Sequence, residues 1–471
     1  MKNSQLVDII GTLNKKEVRE LKKWLCSPAH NHRQDTLLLF EYLLKAEQLD
    51  ADKYLEKERI FKKIFPKTPY DDARLRQSMH FLLKTIEEYL AFTALKTDDV
   101  KAQLELAKTY RHKKLDKPYE KVKKNIDKLR EQFVVQDDQY YFLQYQILQE
   151  EYDYLTKKKA SSTDLQQISN NLEVSFIIAK LRLACYMLNH QSIYKKEYDF
   201  GLTEAILLFV EKSDLLDIPA IKIYYYFYKA LYDPDNEESY YTFRDSIFNH
   251  SKVLQHAEMR DIYLLGINYC ITTKLNQLKK HFYSEVFELY RNGIENKVLF
   301  TDGGQLSEQT FKNVVSIGTI VRQFQWVEQF MDTHEVYLPL ANREQLVTFT
   351  KGKFHFEKGE YKKARNYLLS SNPNDVLLNL NAKSMLIRIY YQQDEFQLLD
   401  SFLESTKAYI NRKKNLVSQY RVPYLNLIKY TKKLIKVNPY DKSAKEKLRQ
   451  EIDLAHPLIA KEWFLKQVER L

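Results

Sequence analysis

The tightest group of potential metal ligands in the sequence is Cys26 with His30 and His32. A thiolate and two imidazoles on one short turn match three of the four positions around a protein-bound zinc ion. No fourth ligand lies nearby in the sequence, so we expect no metal site here. The alternative is that Cys26 packs as a small apolar residue behind Trp24 and Leu25, with both histidines on a polar turn.

Motifs for catalysis and for cofactors are scarce in this chain. Ser192 and Lys195 satisfy the SxxK spacing of penicillin-binding enzymes, but the companion motifs are missing and a Lys- and Ser-rich chain produces this spacing by chance. The sequence also lacks GxxxxGK[ST], GxGxxG, HExxH, GxSxG and DxDxDG. We therefore expect a protein that is not an enzyme and that carries no cofactor.

Charge is more informative than motifs, because the net charge of +11 is unevenly distributed. Residues 401–450 contain 13 basic and 3 acidic residues, whereas residues 201–250 contain 4 basic and 9 acidic residues. The basic excess is concentrated in the segment 407–449. Such local excess is typical either of a solvated surface or of a site for an anionic partner.

A helix predicted over 418–437 carries Lys429, Lys432, Lys433 and Lys436 on an arc of about 100°, away from its apolar stripe. We expect this lysine face to be a polar cap that keeps the end of a helical array soluble. The alternative is binding to the phosphates of nucleic acid through region 407–449, without sequence specificity.

Composition predicts an all-α fold for the elements that position these residues. The 471 residues include only 9 Gly and 11 Pro, which is too few for the turns of sheet proteins and nucleotide-binding loops. Tyr and Phe are abundant, at 35 and 25 residues. We expect tyrosine rings to pack between helices while their hydroxyls reach solvent.

The cellular compartment is predicted from cysteine usage and from the N-terminal sequence. Cys26, Cys185 and Cys270 are scattered and odd in number, which favours a reducing environment. The N-terminal residues lack a signal-peptide core, and the apolar runs, such as 205–210, are too short to span a bilayer. We expect a cytoplasmic protein with no membrane contact.

Hydrophobic periodicity and helix-stop signals divide the chain into three parts. Residues 1–95 predict a bundle of short helices, 96–215 a connecting region of longer, charge-rich helices, and 216–471 a regular helix–turn–helix array. In the later parts Asp164 is expected to cap a helix and Pro219 to begin one.

Three segments of the last part align at a fixed period. Trp326, Tyr361 and Phe396 lie 35 residues apart. The middle copy is the fullest, with Gly352 in its first helix, Gly359-Glu360-Tyr361 at the turn, Ala364 in its second helix and Pro373 after it. This pattern resembles the tetratricopeptide repeat, in which small residues let paired helices approach and units stack to bury their apolar faces.

The tetratricopeptide resemblance implies a right-handed α-solenoid that follows the N-terminal bundle. The chain also resembles a Tyr- and Lys-rich helical-repeat family of Bacteroidota bacteria, in the segments LKKWLCSPAHNHRQDTLLLFEYL and INYCITTKLNQL. This second resemblance implies a helical fold and no particular activity.

In tetratricopeptide arrays, the first helix of each unit lines a concave groove. Transferring that register places six polar residues there: Lys312, Thr319, Arg322, Lys353, Asn381 and Arg388. Four cations and an amide in one channel suit an acidic, extended peptide, although some could instead pair with neighbouring carboxylates. The sequence therefore predicts a scaffold or adaptor that binds a protein or peptide partner in this groove.

Overall fold

The computed structural model describes residues 1, 4–45, 52–97, 99–158, 164–371, 375–413 and 417–471. Every regular element in these ranges is helical, so the predicted all-α class is confirmed for the described residues. Across the same residues, no helix combines the length and the apolar character that crossing a bilayer requires.

The helices are numbered here in chain order. The first nine are α1 (Gln5–Thr12), α2 (Lys15–Cys26), α3 (Gln34–Lys45), α4 (Lys57–Ile64), α5 (Asp72–Thr97), α6 (Asp99–His112), α7 (Asp116–Arg130), α8 (Asp138–Lys157) and α9 (Leu165–Tyr194). The next seven are α10 (Thr203–Glu211), α11 (Pro219–Tyr232), α12 (Glu237–Asn249), α13 (His256–Tyr269), α14 (Phe282–Glu295), α15 (Glu308–Ile320) and α16 (Phe324–His334). The last seven are α17 (Arg343–Lys358), α18 (Tyr361–Ser370), α19 (Val376–Gln392), α20 (Phe396–Arg412), α21 (Ser418–Lys436), α22 (Lys442–Leu454) and α23 (Lys461–Arg470).

Two compact units divide the chain, and unit 1 comprises Met1–Phe133 and Phe142–Leu172. One of its cores joins α1 to α5 and lies wholly within residues 1–95. A second core joins α6, α7 and α8, where the rings of Tyr119 and Tyr154 stack 3.6 Å apart. Arg111 closes this second core with two hydrogen bonds of 2.7 Å to the buried carboxylate of Glu150.

Unit 2 comprises Val134–Tyr141 and Glu173–Leu471. Its apolar core runs as two clusters, one over 174–354 and one over 349–468. The helix α17 contributes to both clusters, with Phe354 in the first and Phe349 and Phe356 in the second. The three-part division expected from the sequence stays a prediction.

Several helix boundaries follow from the residues predicted to set them. Asp164 accepts hydrogen bonds from the backbone N–H groups of Gln166 and Gln167 at the start of α9, which confirms its capping role. Pro219 is the first residue of α11, where its missing N–H is not needed. The predicted stop at Pro373 lies outside the described residues.

A recurring turn joins the helix pairs α15–α16, α17–α18 and α19–α20. Each turn contains one residue with a left-handed backbone: Arg322 (φ 62°), Gly359 (φ 85°) and Asp394 (φ 55°). The next residue's N–H donates to a carbonyl five residues earlier, and these bonds are Gln323 to Gly318 (2.8 Å), Glu360 to His355 (2.9 Å) and Glu395 to Tyr390 (3.0 Å). This bond closes the C-terminus of the first helix. The shared bond gives the three helix pairs a common structural register.

That register corrects the sequence alignment of the first repeat, which is the helix pair α15–α16. The second helices α16, α18 and α20 begin at Phe324, Tyr361 and Phe396, so the aromatic residue equivalent to Tyr361 is Phe324. Trp326 lies two residues further on and stacks on Phe330, with 5.4 Å between the ring centroids. The sequence missed this shift because two aromatic residues stand close together and the 35-residue spacing selected the wrong one.

Small residues stand where the paired helices approach most closely. A Cβ atom on Gly352 would lie 2.8 Å from Leu368 Cδ2, and Ala364 on the same partner helix is fully buried. In the preceding pair, Gly318 faces the side chain of Val327. The close approach is therefore present in both pairs, although the glycine lies at a different position along the first helix in each pair.

Replacing Gly352 with Leu is expected to lower the free energy of unfolding by about 1–3 kcal/mol, because the side chain would overlap Leu368 in a packed crossing. The measurement is denaturant unfolding followed by circular dichroism. Gly11→Leu is the matched control, since a Cβ at Gly11 meets nothing within 4 Å. Equal losses in the two variants would contradict the close crossing.

The turn before α18 also supports a pH prediction. The Glu360 carboxylate accepts from Lys358 (2.8 Å), Lys363 (3.1 Å) and the His355 Nδ1 (2.8 Å). Hydrogen bonds from Lys358 and Lys363 lower the pKa of Glu360 from 4.5 to about 2. The stabilisation is thus complete above pH 4.5 and is lost as the pH falls through about 2.

We expect Glu360→Gln to be less stable than the wild type at pH values above 4.5, and the difference to shrink as the pH falls toward about 2. Thermal unfolding over this window measures it. Glu344→Gln, on the exposed first turn of α17, is the control and should show a smaller change with pH. A difference that is constant across the window would exclude a role for the ionised Glu360.

Candidate partner-binding groove

The common turn register identifies equivalent positions on α15, α17 and α19, the first helices of the three pairs. Ser316 on α15, Lys353 on α17 and Arg388 on α19 are spaced as the turns are, by 37 and 35 residues. Their side chains therefore belong to one row across neighbouring helices. The hydrogen bond from Lys353 Nζ to Ser316 Oγ, at 3.1 Å, joins the first two members of this row.

A cleft of about 370 Å³ opens beside this row. It is lined by Val315, Ser316, Thr319, Ile320, Arg322, Phe324, Lys353, Phe354 and Glu357. Three of the six residues predicted for the groove, Thr319, Arg322 and Lys353, therefore meet in one cavity. Phe324 and Phe354 give the cleft an apolar wall, with 6.1 Å between their ring centroids.

Charge in the cleft is predominantly positive. Arg322 is exposed and Lys353 is half-buried, and the one carboxylate among the lining residues belongs to exposed Glu357. Within the described residues, neither Arg322 nor Lys353 has a carboxylate oxygen within 4.0 Å of its cationic nitrogen atoms. An anion that enters the cleft would meet two cations and the Thr319 hydroxyl.

Arg388 is the third member of the row, and its guanidinium is poorly compensated. The guanidinium carbon lies 4.3 Å from the centre of the Phe356 ring. Its buried Nε has no hydrogen-bond partner within the described part of the chain. Burial lowers the pKa of Arg388, although the field of Glu357 acts in the opposite direction. Because arginine remains charged at neutral pH, this group is a half-buried cation in need of an acceptor.

The other two predicted groove residues lie outside the cleft lining. Asn381 is exposed on α19, and its Oδ1 accepts a hydrogen bond of 2.8 Å from the hydroxyl of Tyr424. Lys312 is half-buried on α15, one turn before Ser316. The structure therefore assembles Thr319, Arg322 and Lys353, places Arg388 in the same row as Lys353, and leaves Asn381 and Lys312 outside the cleft lining.

The predicted lysine face lines a second, more open cleft of about 380 Å³. Lys432, Lys433 and Lys436 form one wall on α21, and Lys447 on α22 faces them. Lys429 is not among its lining residues, and its ammonium lies 5.2 Å from the centre of the Tyr430 ring. The face predicted as a solvated surface is therefore one side of a cleft.

The candidate ligands considered for zinc are arranged differently from the sequence expectation. Cys26 is exposed, so its expected packing as a small apolar residue is wrong. His30 stacks on the Trp24 indole with ring centroids 3.5 Å apart. In the described part of the chain, the ligand atoms of Cys26, His30 and His32 do not gather within 4.8 Å of one another.

Three carboxylates do gather in unit 2: Asp137, Asp138 and Glu258. Arg182 bridges two of them, with NH1 2.8 Å from both Asp138 Oδ1 and Glu258 Oε1. Tyr224 adds a hydrogen bond from its hydroxyl to Glu258. These contacts tie α8, α9, α11 and α13 together, so the cluster has a structural role.

Sequence reasoning missed Ser316, Glu357 and Lys447. The turn register would have located Ser316, but the register is visible only once Phe324 is recognised as the start of α16. Glu357 lies one helical turn after Lys353 and could have been found from that spacing. Lys447 carried no signal, because its approach to α21 depends on how the helices fold against each other.

No protein-family model matches this chain, and no curated protein or solved structure does either. The resemblances to tetratricopeptide repeats and to the Bacteroidota family therefore stay predictions. The two clefts and the charges that line them are the features of the molecule that bear on its function.

Proposed function

We propose that this chain is a non-catalytic adaptor that binds an acidic, extended peptide segment of a protein partner along the groove of a right-handed, tetratricopeptide-like solenoid. The observation that carries the proposal is the half-buried Arg388 guanidinium, whose Nε has no hydrogen-bond partner among the described residues. Among the described residues this guanidinium also has no carboxylate oxygen within 4.0 Å, and a carboxylate ligand would supply the missing counter-charge.

The arrangement of the neighbouring groups supports an extended ligand. Arg322 and Lys353 line the cleft, and Arg388 lies on α19 in the same row as Lys353. Cations on successive helices suit a peptide that runs across the helices with acidic side chains at intervals. Ile320 and Phe324, which are accessible in the lining, offer apolar contacts for the peptide's carbon atoms. Guanidinium and ammonium donors hold carboxylates through charge-assisted hydrogen bonds.

A cytoplasmic location belongs to the same proposal. Cys26, Cys185 and Cys270 are free thiols in the structure, which is typical of proteins in a reducing compartment. A partner with an exposed acidic segment would be accessible to the groove there.

Charge reversal tests the proposed function directly. The variant Lys353→Glu with Arg388→Glu is expected to weaken binding of a labelled acidic peptide by at least about tenfold, because each charged hydrogen bond contributes roughly 1.5–3 kcal/mol. The same variant should gain affinity for the peptide in which every Glu is replaced by Lys. Fluorescence anisotropy against an array of such peptide pairs measures both effects.

Two further variants keep this test interpretable. Lys353→Met with Arg388→Met removes both charges but retains an apolar side chain over Phe356, so it separates loss of charge from loss of folding. Lys280→Glu with Lys362→Glu changes two exposed lysines outside the cleft lining by the same total charge. If the groove variants and this control bind the acidic peptides equally, the groove does not recognise them.

A further inference from the structure

The second cleft lies between α21 and α22 and is more open than the cleft lined by Arg322 and Lys353. Its polar wall carries Lys432, Lys433 and Lys436, its opposite wall carries Lys447, and its floor is formed by Val437, Ala444 and Leu448. Glu451 is the one acidic residue in the lining. Four ammonium groups above an apolar floor, with one carboxylate, make a site for a polyanion.

Two of the four lysines are already engaged by carboxylates. Lys432 pairs with Glu404, and Lys433 pairs with Glu451. Among the described residues, neither Lys436 nor Lys447 has a carboxylate oxygen within 4.0 Å of its Nζ. Solvent-accessible lysine–carboxylate pairs contribute little net stability, so a phosphate can also compete for the two engaged ammonium groups.

The turn that joins the two walls of this cleft carries an exposed aromatic side chain. The turn between α21 and α22 contains Tyr440, which is 93% exposed and is the most exposed large hydrophobic side chain in the described ranges. The turn is anchored by a hydrogen bond of 3.0 Å from the Tyr440 N–H to Asn438 Oδ1. An exposed aromatic ring on the turn between two lysine-bearing helices is a combination that binds single strands, because bases stack on the ring while phosphates follow the cations.

We propose that the α21–α22 hairpin binds single-stranded nucleic acid without sequence specificity, with phosphates on Lys436 and Lys447 and one base stacked on Tyr440. This site is separate from the peptide groove and goes beyond the proposed adaptor function. Tyr440 distinguishes a single strand from a duplex, since a paired base does not present its face to a side chain.

The probe is a labelled single-stranded oligouridylate, and its affinity is measured by fluorescence anisotropy at several salt concentrations. For the wild type we expect affinity to fall steeply with salt, as counterion release requires. In Lys436→Gln with Lys447→Gln, the affinity should fall and the slope of log K against log salt should become shallower by about 1.4, because each phosphate contact contributes about 0.7 for single strands.

The tyrosine variants separate stacking from charge. Tyr440→Ala should weaken binding by about 5- to 150-fold, the equivalent of one stacked base, and should leave the salt slope unchanged. Tyr440→Phe should retain wild-type affinity, because the ring alone is required. Circular dichroism and thermal unfolding of each variant verify that the hairpin remains folded.

Controls decide between the possible sources of negative charge. Lys280→Gln with Lys362→Gln removes two exposed lysines outside the cleft and should change neither affinity nor slope. The single-strand proposal is wrong if Tyr440→Ala binds oligouridylate as the wild type does. It is also wrong if heparin or phosphatidylserine vesicles bind as tightly as oligouridylate and lose affinity in the same lysine variants. The hairpin variants should still bind acidic peptides, so failure here is distinguishable from failure of the groove.

Discussion

Close packing between helices that follow one another in the chain is the constraint on which the described part of unit 2 depends. Gly352 lies against Leu368, and Gly318 lies against Val327, at distances that leave no space for a side chain on either glycine. The tight turns at Arg322, Gly359 and Asp394 then fix where each pair begins and ends. The row of Ser316, Lys353 and Arg388 follows from this geometry, because equivalent positions on the first helices of successive pairs face the same way.

Tyrosine contributes to this packing in a way that the composition alone did not indicate. The rings of Tyr224 and Tyr263 are buried, and their hydroxyls donate to Glu258 and to Asn292 Oδ1. Burial raises the pKa of both phenols, so they remain neutral donors. The expectation that tyrosine hydroxyls reach solvent is therefore wrong at these positions. Inside unit 2 they instead donate to half-buried acceptors on the neighbouring helices α13 and α14.

The sequence predicts those features that depend on local chemistry. Pro219 and Asp164 set helix starts because a missing N–H and a capping carboxylate act within one turn. Gly352 was recognisable because only a small residue tolerates a close crossing. By contrast, Arg322 adopts a left-handed backbone that its side chain does not favour, and Phe324 begins α16 in place of Trp326. Tertiary packing decides both, so the register of the α15–α16 pair could not be read from the sequence spacing.

The two basic surfaces differ in how their charge is balanced, and this difference separates their chemistry. On the α21–α22 hairpin the lysines are solvated and half of them have carboxylate partners, so salt screens them and long anions bind by displacing counterions. Arg388 is half-buried over Phe356, and its Nε is unpartnered within the described residues. Salt screens such a group less, and its fixed position demands an acceptor in one place. Under the two proposals, the groove would therefore select a ligand by where its carboxylates lie, whereas the hairpin would respond to charge density along a chain.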